Sequence, residues 1–289
     1  MKILSPAKVN LFLQVVGKRA DGYHDLVTLM CCISLYDVVS MDFGAKRISV
    51  HCSHENVPSD ESNLAYKSAV LFYEGMKEKI IKKAQRTAAE GVAIFIDKQI
   101  PVAAGLGGGS SNAASVLAGM NRYYGKPFSW EELSAMGRRI GADVPFLLLQ
   151  KPAIATGIGD KLKGYEGVKS GPILVVCPNF QVSTATVYKN LNLRLTKCEK
   201  KIKNFPFEMP VFDAKQHLCN DLETVTISVY PEINEIKETL LDLDAVGALM
   251  SGSGPAVFGL FQDRAQVQRA FHAVSKNSSW HAYVAEILT

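Results

Sequence analysis

The sequence predicts an α+β fold in which helices cover one face of an antiparallel sheet. Three observations lead there. Residues 9–15 alternate strictly, with Val9, Leu11, Leu13 and Val15 on one face and Lys8, Asn10, Phe12 and Gln14 on the other, which is the period of a half-buried strand. An apolar run, Val92 to Ile96, passes through a glycine-dense loop straight into a small-residue helix from Asn112 to Met120. In the second half, short apolar runs at 173–177, 246–250, 256–261 and 280–287 alternate with helical stretches. That spacing suits helices segregated to one side of a sheet. The 289 residues suffice for one large or two modest domains, and a boundary is expected near Ala155, giving domains 1–155 and 156–289.

The elements follow in order. Strands are expected at Leu26–Ile33, Asp37–Phe43 and Arg47–Cys52, after the turn signal Asp21-Gly22 that presents Tyr23 and His24 on a loop. A helix begins near Ser62-Asn63-Leu64 and runs into Lys77, Lys79, Lys82, Lys83 and Arg86 around Ile80, Ile81 and Ala84, a solvated basic face. After the glycine loop and its helix, Gly125-Lys-Pro127 marks a break, and Ser129-x-x-Glu132 is a capping box opening a helix to Ile140. Asp143 precedes the apolar run ending at Leu149 and suits an N-cap, with Pro145 in the first helical turn. Ala155 to Asp160 reads as a strand entering a turn. A helix is expected from Ser183 through Tyr188, then a lysine-rich connection from Lys197 to Lys203. A helical region from Asp221 to Leu243 is broken at Pro231. A second glycine turn, Ser251 to Pro255, separates two strands, and a helix from Asp263 to Ser275 precedes the last strand.

Composition narrows the function classes. With 47% hydrophobic and 21% charged residues the chain is ordinary for a globular protein. No apolar run reaches the ~18 residues of a membrane span. The start Met1-Lys-Ile-Leu resembles a signal peptide only until Lys8, Asn10 and Gln14 interrupt it, so the expected location is cytoplasmic. A net charge of +4 suits small anionic substrates and gives no case for nucleic acid. The six cysteines include no C-x-x-C pair and are read as small buried hydrophobes rather than bridges or ligands. His51-Cys-Ser-His54 lacks an obvious third and fourth metal ligand.

The chemistry concentrates in Pro101, Val102, Ala103, Ala104, Gly105, Leu106, Gly107, Gly108, Gly109, Ser110 and Ser111, followed by Asn112. Glycine tolerates positive φ, so successive N–H groups can curl around one point. Ser110 and Ser111 stand where an N-cap belongs. A loop feeding a helix N-terminus collects free N–H donors and the positive end of the helix dipole, a setting for phosphate. The alternative is a tight turn packed against a helix. A Walker A loop would need a lysine that is absent between Gly105 and Asn112. A dinucleotide fingerprint would need glycine where Ser110 stands and an acid at a strand end about 20 residues on. A protein-kinase glycine loop joins two strands rather than a strand and a helix.

Pro-x-x-x-Gly-Leu-Gly-Gly-Gly-Ser-Ser-Asn resembles the phosphate loop of the GHMP kinases. The combination Pro6-Ala-Lys8-x-Asn10-Leu with Gly17-Lys-Arg-x-Asp-Gly-Tyr23-His24 resembles the branch that phosphorylates a methylerythritol unit carried on cytidine diphosphate, in the non-mevalonate isoprenoid route. The resemblance implies a two-domain GHMP kinase fold, with an N-terminal ATP-binding domain like ribosomal protein S5 domain 2 and a ferredoxin-like C-terminal substrate domain, the active site lying in the cleft between them. It implies ATP as co-substrate with Mg²⁺, a cytidine-bearing small-molecule substrate, no nucleic-acid or membrane partner, and a monomer or weak homodimer. Lys8 inherits the catalytic lysine, and Asp143, in Gly141-Ala-Asp143-Val-Pro145-Phe, matches the catalytic aspartate. Asn63 matches a position near the adenine, and Lys98 a lysine near the nucleotide, unless it simply faces water. Tyr23 and His24 match the residues that hold the cytosine. Tyr188 matches an aromatic that stacks opposite Tyr23, with a core role as the alternative.

The implied reaction moves the γ-phosphoryl group to the 2-hydroxyl of the polyol. Asp143 accepts or orients the hydroxyl proton, Lys8 offsets developing negative charge, and Asn10 orients one of them. A GHMP kinase of mevalonate or homoserine type is the first alternative, and a dinucleotide-binding oxidoreductase the second.

Overall fold

The computed structural model describes residues 1–83, 91–192, 198 and 211–289. Two compact units are built from interleaved segments: Met1–Ala7, Tyr36–Val102 and Gly107–Leu149 form one, and Lys8–Leu35, Ala103–Leu106 and Gln150–Thr289 the other. Two long strands, β1 (Lys2–Lys18) and β2 (His24–Asp42), contribute residues to both. The break expected within β2, between Ile33 and Asp37, does not occur; the strand is continuous.

The first unit adds β3 (Ser49–Cys52), α1 (Leu64–Lys83), β4 (Ala93–Asp97), α2 (Gly108–Tyr123), α3 (Trp130–Ile140) and α4 (Val144–Leu149). Strand β4 pairs antiparallel with β2, Val38 facing Asp97 through Asp42 facing Ala93, and parallel with β3. Helix α2 is central, and Ser111 to Leu117 are all buried. Its small residues let α1, α3 and α4 approach closely. A methyl group at Gly75 of α1 would lie 2.7 Å from the Met136 methyl of α3, and Phe72 meets Phe128 edge-on at 5.0 Å. The expected capping box is present: Glu132 N–H donates to Ser129 Oγ at 3.3 Å, and Ser129 N–H to the Glu132 carboxylate at 2.8 Å. Lys79 does more than face water. It donates to the Pro127 carbonyl at 2.7 Å and to Glu132 at 2.8 Å, and lies 4.4 Å over the Phe128 ring. Ala84 and Arg86 lie outside the described residues.

The second unit continues through β5 (Ala153–Thr156), β6 (Lys161–Gly164), β7 (Pro172–Pro178), α5 (Thr184–Lys189), α6 (Ala214–His217), β8 (Cys219–Asn220), α7 (Glu223–Val229), α8 (Glu232–Asp242), β9 (Gly247–Met250), β10 (Val257–Leu260), α9 (Arg264–Val274) and β11 (Trp280–Leu288). The break at Pro231 separates α7 from α8 as expected. Strands run β11–β7–β10–β9, every neighbour antiparallel, with α8 between β7 and β9 and α9 between β10 and β11 in sequence. That is a ferredoxin-like β-α-β-β-α-β unit. Its core joins Leu13 and Val15 of β1 to Leu174, Val176, Ile233, Ile236, Leu240, Val257, Val267 and Val274. Each such side chain contributes about 1.5–3 kcal/mol on burial.

Two expectations change. Strand β1 is buried on both faces around Lys8, Asn10 and Phe12, not half-exposed, because polar as well as apolar neighbours cover it. Cys198 and Cys219 form a disulfide, while Cys31, Cys32, Cys52 and Cys177 are the free, buried thiols expected. Cys219 lies in β8, which pairs parallel with β1 (Phe12 opposite Cys219), and Asp221 accepts the N–H groups of Val15 at 2.9 Å and Cys198 at 3.0 Å. Of the lysine-rich connection, residues 197 and 199–203 lie outside the described residues.

Candidate active site

The glycine loop is shaped by backbone rather than by side chains. Ala103, Gly105 and Gly107 have φ of 54°, 78° and 70°, the left-handed region. Helix α2 starts earlier than the serines suggest. Its N-cap is Gly107, which carries no capping side chain, and the first helical bond runs from Ser111 N–H to the Gly107 carbonyl at 2.8 Å. The N–H groups of Gly108, Gly109 and Ser110 precede that bond and so have no acceptor in the helix. They gather with the positive end of a 16-residue helix. Main-chain donors arranged in this way can hold an anion.

Within the first unit, Ser110 remains partly accessible on this turn, while the Ser111 hydroxyl is buried and accepts from Ser5 at 2.8 Å. A methyl group at Gly141 would stand 3.6 Å from Ser110 Oγ, which places the segment leading to Asp143 beside the loop helix. Asp143 is half-buried immediately before α4, and its carbonyl accepts the Leu147 N–H at 3.1 Å. Asn63 caps α1: its amide oxygen accepts Ala65 N–H at 2.9 Å and its amide nitrogen donates to the Pro58 carbonyl at 2.6 Å. Lys98 does not face water. Its ammonium donates to Asp37 at 2.8 Å, and burial pushes it below the ordinary lysine range while Asp37 opposes that shift.

Within the second unit, the middle of the loop is held by β1 and by the turn 251–254. Lys8 N–H donates to the Leu106 carbonyl at 2.9 Å, Ser251 Oγ to the Gly105 carbonyl at 3.0 Å, and Ala256 N–H to the Ala104 carbonyl at 3.2 Å. Lys8 Nζ donates to Asn10 Oδ1 at 2.6 Å, Asn10 Nδ2 to Thr28 Oγ1 at 2.8 Å, and Thr28 to the Phe12 carbonyl at 2.6 Å. This chain fixes the ammonium's direction. Gly252 closes on it, since a methyl there would lie 3.4 Å from Lys8 Nζ. Asn220 sets the turn by donating to the carbonyls of Met250 at 2.9 Å and Gly252 at 2.7 Å. Thr28 and Asn220 carry little mark in the sequence; the signal there is a polar pair, Asn220-Asp221, between apolar segments.

His24 and Tyr188 also meet in the second unit, with ring centroids 5.3 Å apart and planes at 30°. Tyr188 packs on the unit's core, and Tyr23, by contrast, is 62% exposed. An Asx turn, Tyr23 N–H to Asp21 Oδ1 at 3.1 Å, orients the Tyr23-His24 corner. Burial, with Lys18 adding to it, holds the His24 pKa below its ordinary value, favouring the neutral ring at pH 7.

Residues 63–151 match the GHMP kinases N terminal domain, and residues 212–279 match GHMP kinases C terminal. The chain is 44% identical over 284 residues to the 4-diphosphocytidyl-2-C-methyl-D-erythritol kinase of Syntrophotalea carbinolica, covering 98% of this chain and 97% of that protein. The chain belongs to the GHMP kinase family. It has the two-domain GHMP kinase fold and is an ATP-dependent small-molecule kinase. The enzyme of the same name from Syntrophus aciditrophicus is 42% identical, with 98% of each chain covered. A crystal structure of 4-(cytidine 5'-diphospho)-2C-methyl-D-erythritol kinase superposes with a TM-score of 0.80 at 33% identity, covering 100% of both chains. Homoserine kinase from Cytophaga hutchinsonii shares the fold, with a TM-score of 0.73 at 17% identity, 99% of this chain and 94% of that one being covered.

Proposed function

We propose that this GHMP kinase phosphorylates the 2-hydroxyl of 4-diphosphocytidyl-2-C-methyl-D-erythritol with ATP, within the non-mevalonate isoprenoid route and in the cytoplasm. The observation that carries the reading is near-full-length identity of 44% to a relative of that name. The amides of Gly108, Gly109 and Ser110 suit the nucleotide's phosphates. Asp143 takes the proton as the hydroxyl oxygen bonds to the γ-phosphorus, and ADP leaves with the electrons of the broken P–O bond. Lys8, aimed by Asn10, offsets charge on the phosphoryl oxygens. Ser110 and Asp143 would supply oxygen ligands to Mg²⁺, a hard cation that would neutralise phosphate charge. Neutral His24 offers a donor and an acceptor to the cytosine edge, and Tyr23 and Tyr188 offer flat faces. The substrate is a small molecule, with no nucleic-acid or membrane partner, and the protein is a monomer or weak homodimer.

The test is an ADP-release assay with the cytidine compound, mevalonate and homoserine offered in turn. Turnover with the cytidine compound alone is expected. Preference for either nucleotide-free acceptor would overturn the assignment.

A further inference from the structure

Asp37 sits in the second half of β2 and is fully buried. Its carboxylate receives four donors. Oδ1 accepts the N–H groups of Gln99 and Ile100, each at 2.8 Å, and Oδ2 accepts Lys98 Nζ at 2.8 Å and Asn112 Nδ2 at 2.9 Å. The first three donors lie where the chain leaves β4 and enters the glycine loop. The fourth lies on α2, where the same loop ends. One carboxylate therefore ties both ends of the loop together.

The surroundings tighten the tie. Lys98 Nζ also donates to the Ile100 carbonyl at 2.5 Å and passes under the start of α2, where a methyl group at Gly108 would stand 2.9 Å from it. Asn112 Nδ2 reaches Ser5 Oγ at 3.2 Å as well, and Ser5 donates to Ser111. A buried carboxylate is costly unless its lone pairs are used, and here charged and neutral donors share both oxygens. A loop whose ends are fixed loses little freedom when a ligand arrives, so binding energy is not consumed in ordering it.

The geometry points to Asp37 as a positioning residue for ATP: it sets the span of the glycine loop and so the aim of the Gly108, Gly109 and Ser110 amides. This rests on reading that loop as the phosphate site. Asp37 itself touches no reacting atom. A residue that only balanced the charge of Lys98 would affect stability without distinguishing the two substrates.

Steady-state kinetics of wild type, Asp37→Asn, Asn112→Ala and Gly107→Ala test the inference. Asp37→Asn should raise KM for ATP about tenfold, the scale of one lost charged hydrogen bond, while KM for the acceptor stays within about twofold. Asn112→Ala leaves the Asp37–Lys98 pair in place and cuts the helix-side tie, together with the Asn112–Ser5 hydrogen bond. It should shift KM for ATP in the same direction, and it carries the test if Asp37→Asn does not fold. Wild-type KM for ATP in either folded variant overturns the inference, as does an equal rise for both substrates. Gly107→Ala strains the loop directly. If it alone raises KM for ATP, the loop reading stands and the role of Asp37 falls. If none of the three does, both fall.

Discussion

Gly105→Ala should be far more damaging than Gly22→Ala, although both glycines have positive φ. Gly105 has φ +78° and Gly22 φ +88°, so an alanine at either bears left-handed strain of about 1–2 kcal/mol. At Gly22 that is the whole cost, since no atom lies within 4 Å of the added methyl. At Gly105 the methyl would collide with the Ser251 carbonyl oxygen and stand 3.2 Å from the Gly254 nitrogen. Both neighbours are backbone, and moving packed backbone adds about 1–3 kcal/mol. The Ser251 hydroxyl bond to the Gly105 carbonyl, at 3.0 Å, is put at risk too and is worth about 1 kcal/mol. The expected destabilisation is about 3–6 kcal/mol for Gly105→Ala against about 1–2 for Gly22→Ala. Urea midpoints with unchanged m-values measure the difference, and KM for ATP should rise in Gly105→Ala alone. Equal midpoints in the two variants, with wild-type KM for ATP in both, would refute the reasoning that the turn 251–254 holds the loop.

Asp143→Asn should lose most of kcat with a modest change in acceptor KM; an unchanged kcat would remove Asp143 from the chemistry. His24 has its folded pKa below the ordinary 6.5, so between the two values the unfolded chain binds more protons. Its contribution to stability is therefore present above pH 6.5 and lost as pH falls toward the folded pKa. His24→Gln should flatten the fall in urea midpoint between pH 7 and about 5.5, and an unaltered slope would contradict the assignment. The Cys198–Cys219 bond spans 21 residues, and cleaving it should cost about 3 kcal/mol by loop-closure entropy. Thiol titration of air-purified, unfolded, unreduced protein should count the four free cysteines and not all six.

The strand–glycine–helix stretch was readable because glycine density and an apolar run are local signals. Where the helix begins was not, because Ser110 and Ser111 look like caps while the real cap is a left-handed glycine with no side chain to advertise it. The catalytic candidates Lys8 and Asn10 could be placed on one strand face by their spacing. Their burial could not, since the covering groups come from Leu106 and from the turn 251–254, remote in sequence. Asp37 gave no sign either: an acid between Tyr36 and Val38 in a strand looks like an exposed position until the donors at residues 98–100 and 112 are seen around it. The disulfide escaped because its cysteines stand 21 apart with no motif between them.

Hydrogen–deuterium exchange of the main-chain amides at residues 107–110, with and without a non-hydrolysable ATP analogue, tests the account most directly. Strong protection by the triphosphate, and none by adenosine at equal occupancy, is the predicted result. Exchange that the triphosphate leaves unchanged, under conditions where calorimetry shows it bound, would contradict the claim that these amides hold the nucleotide.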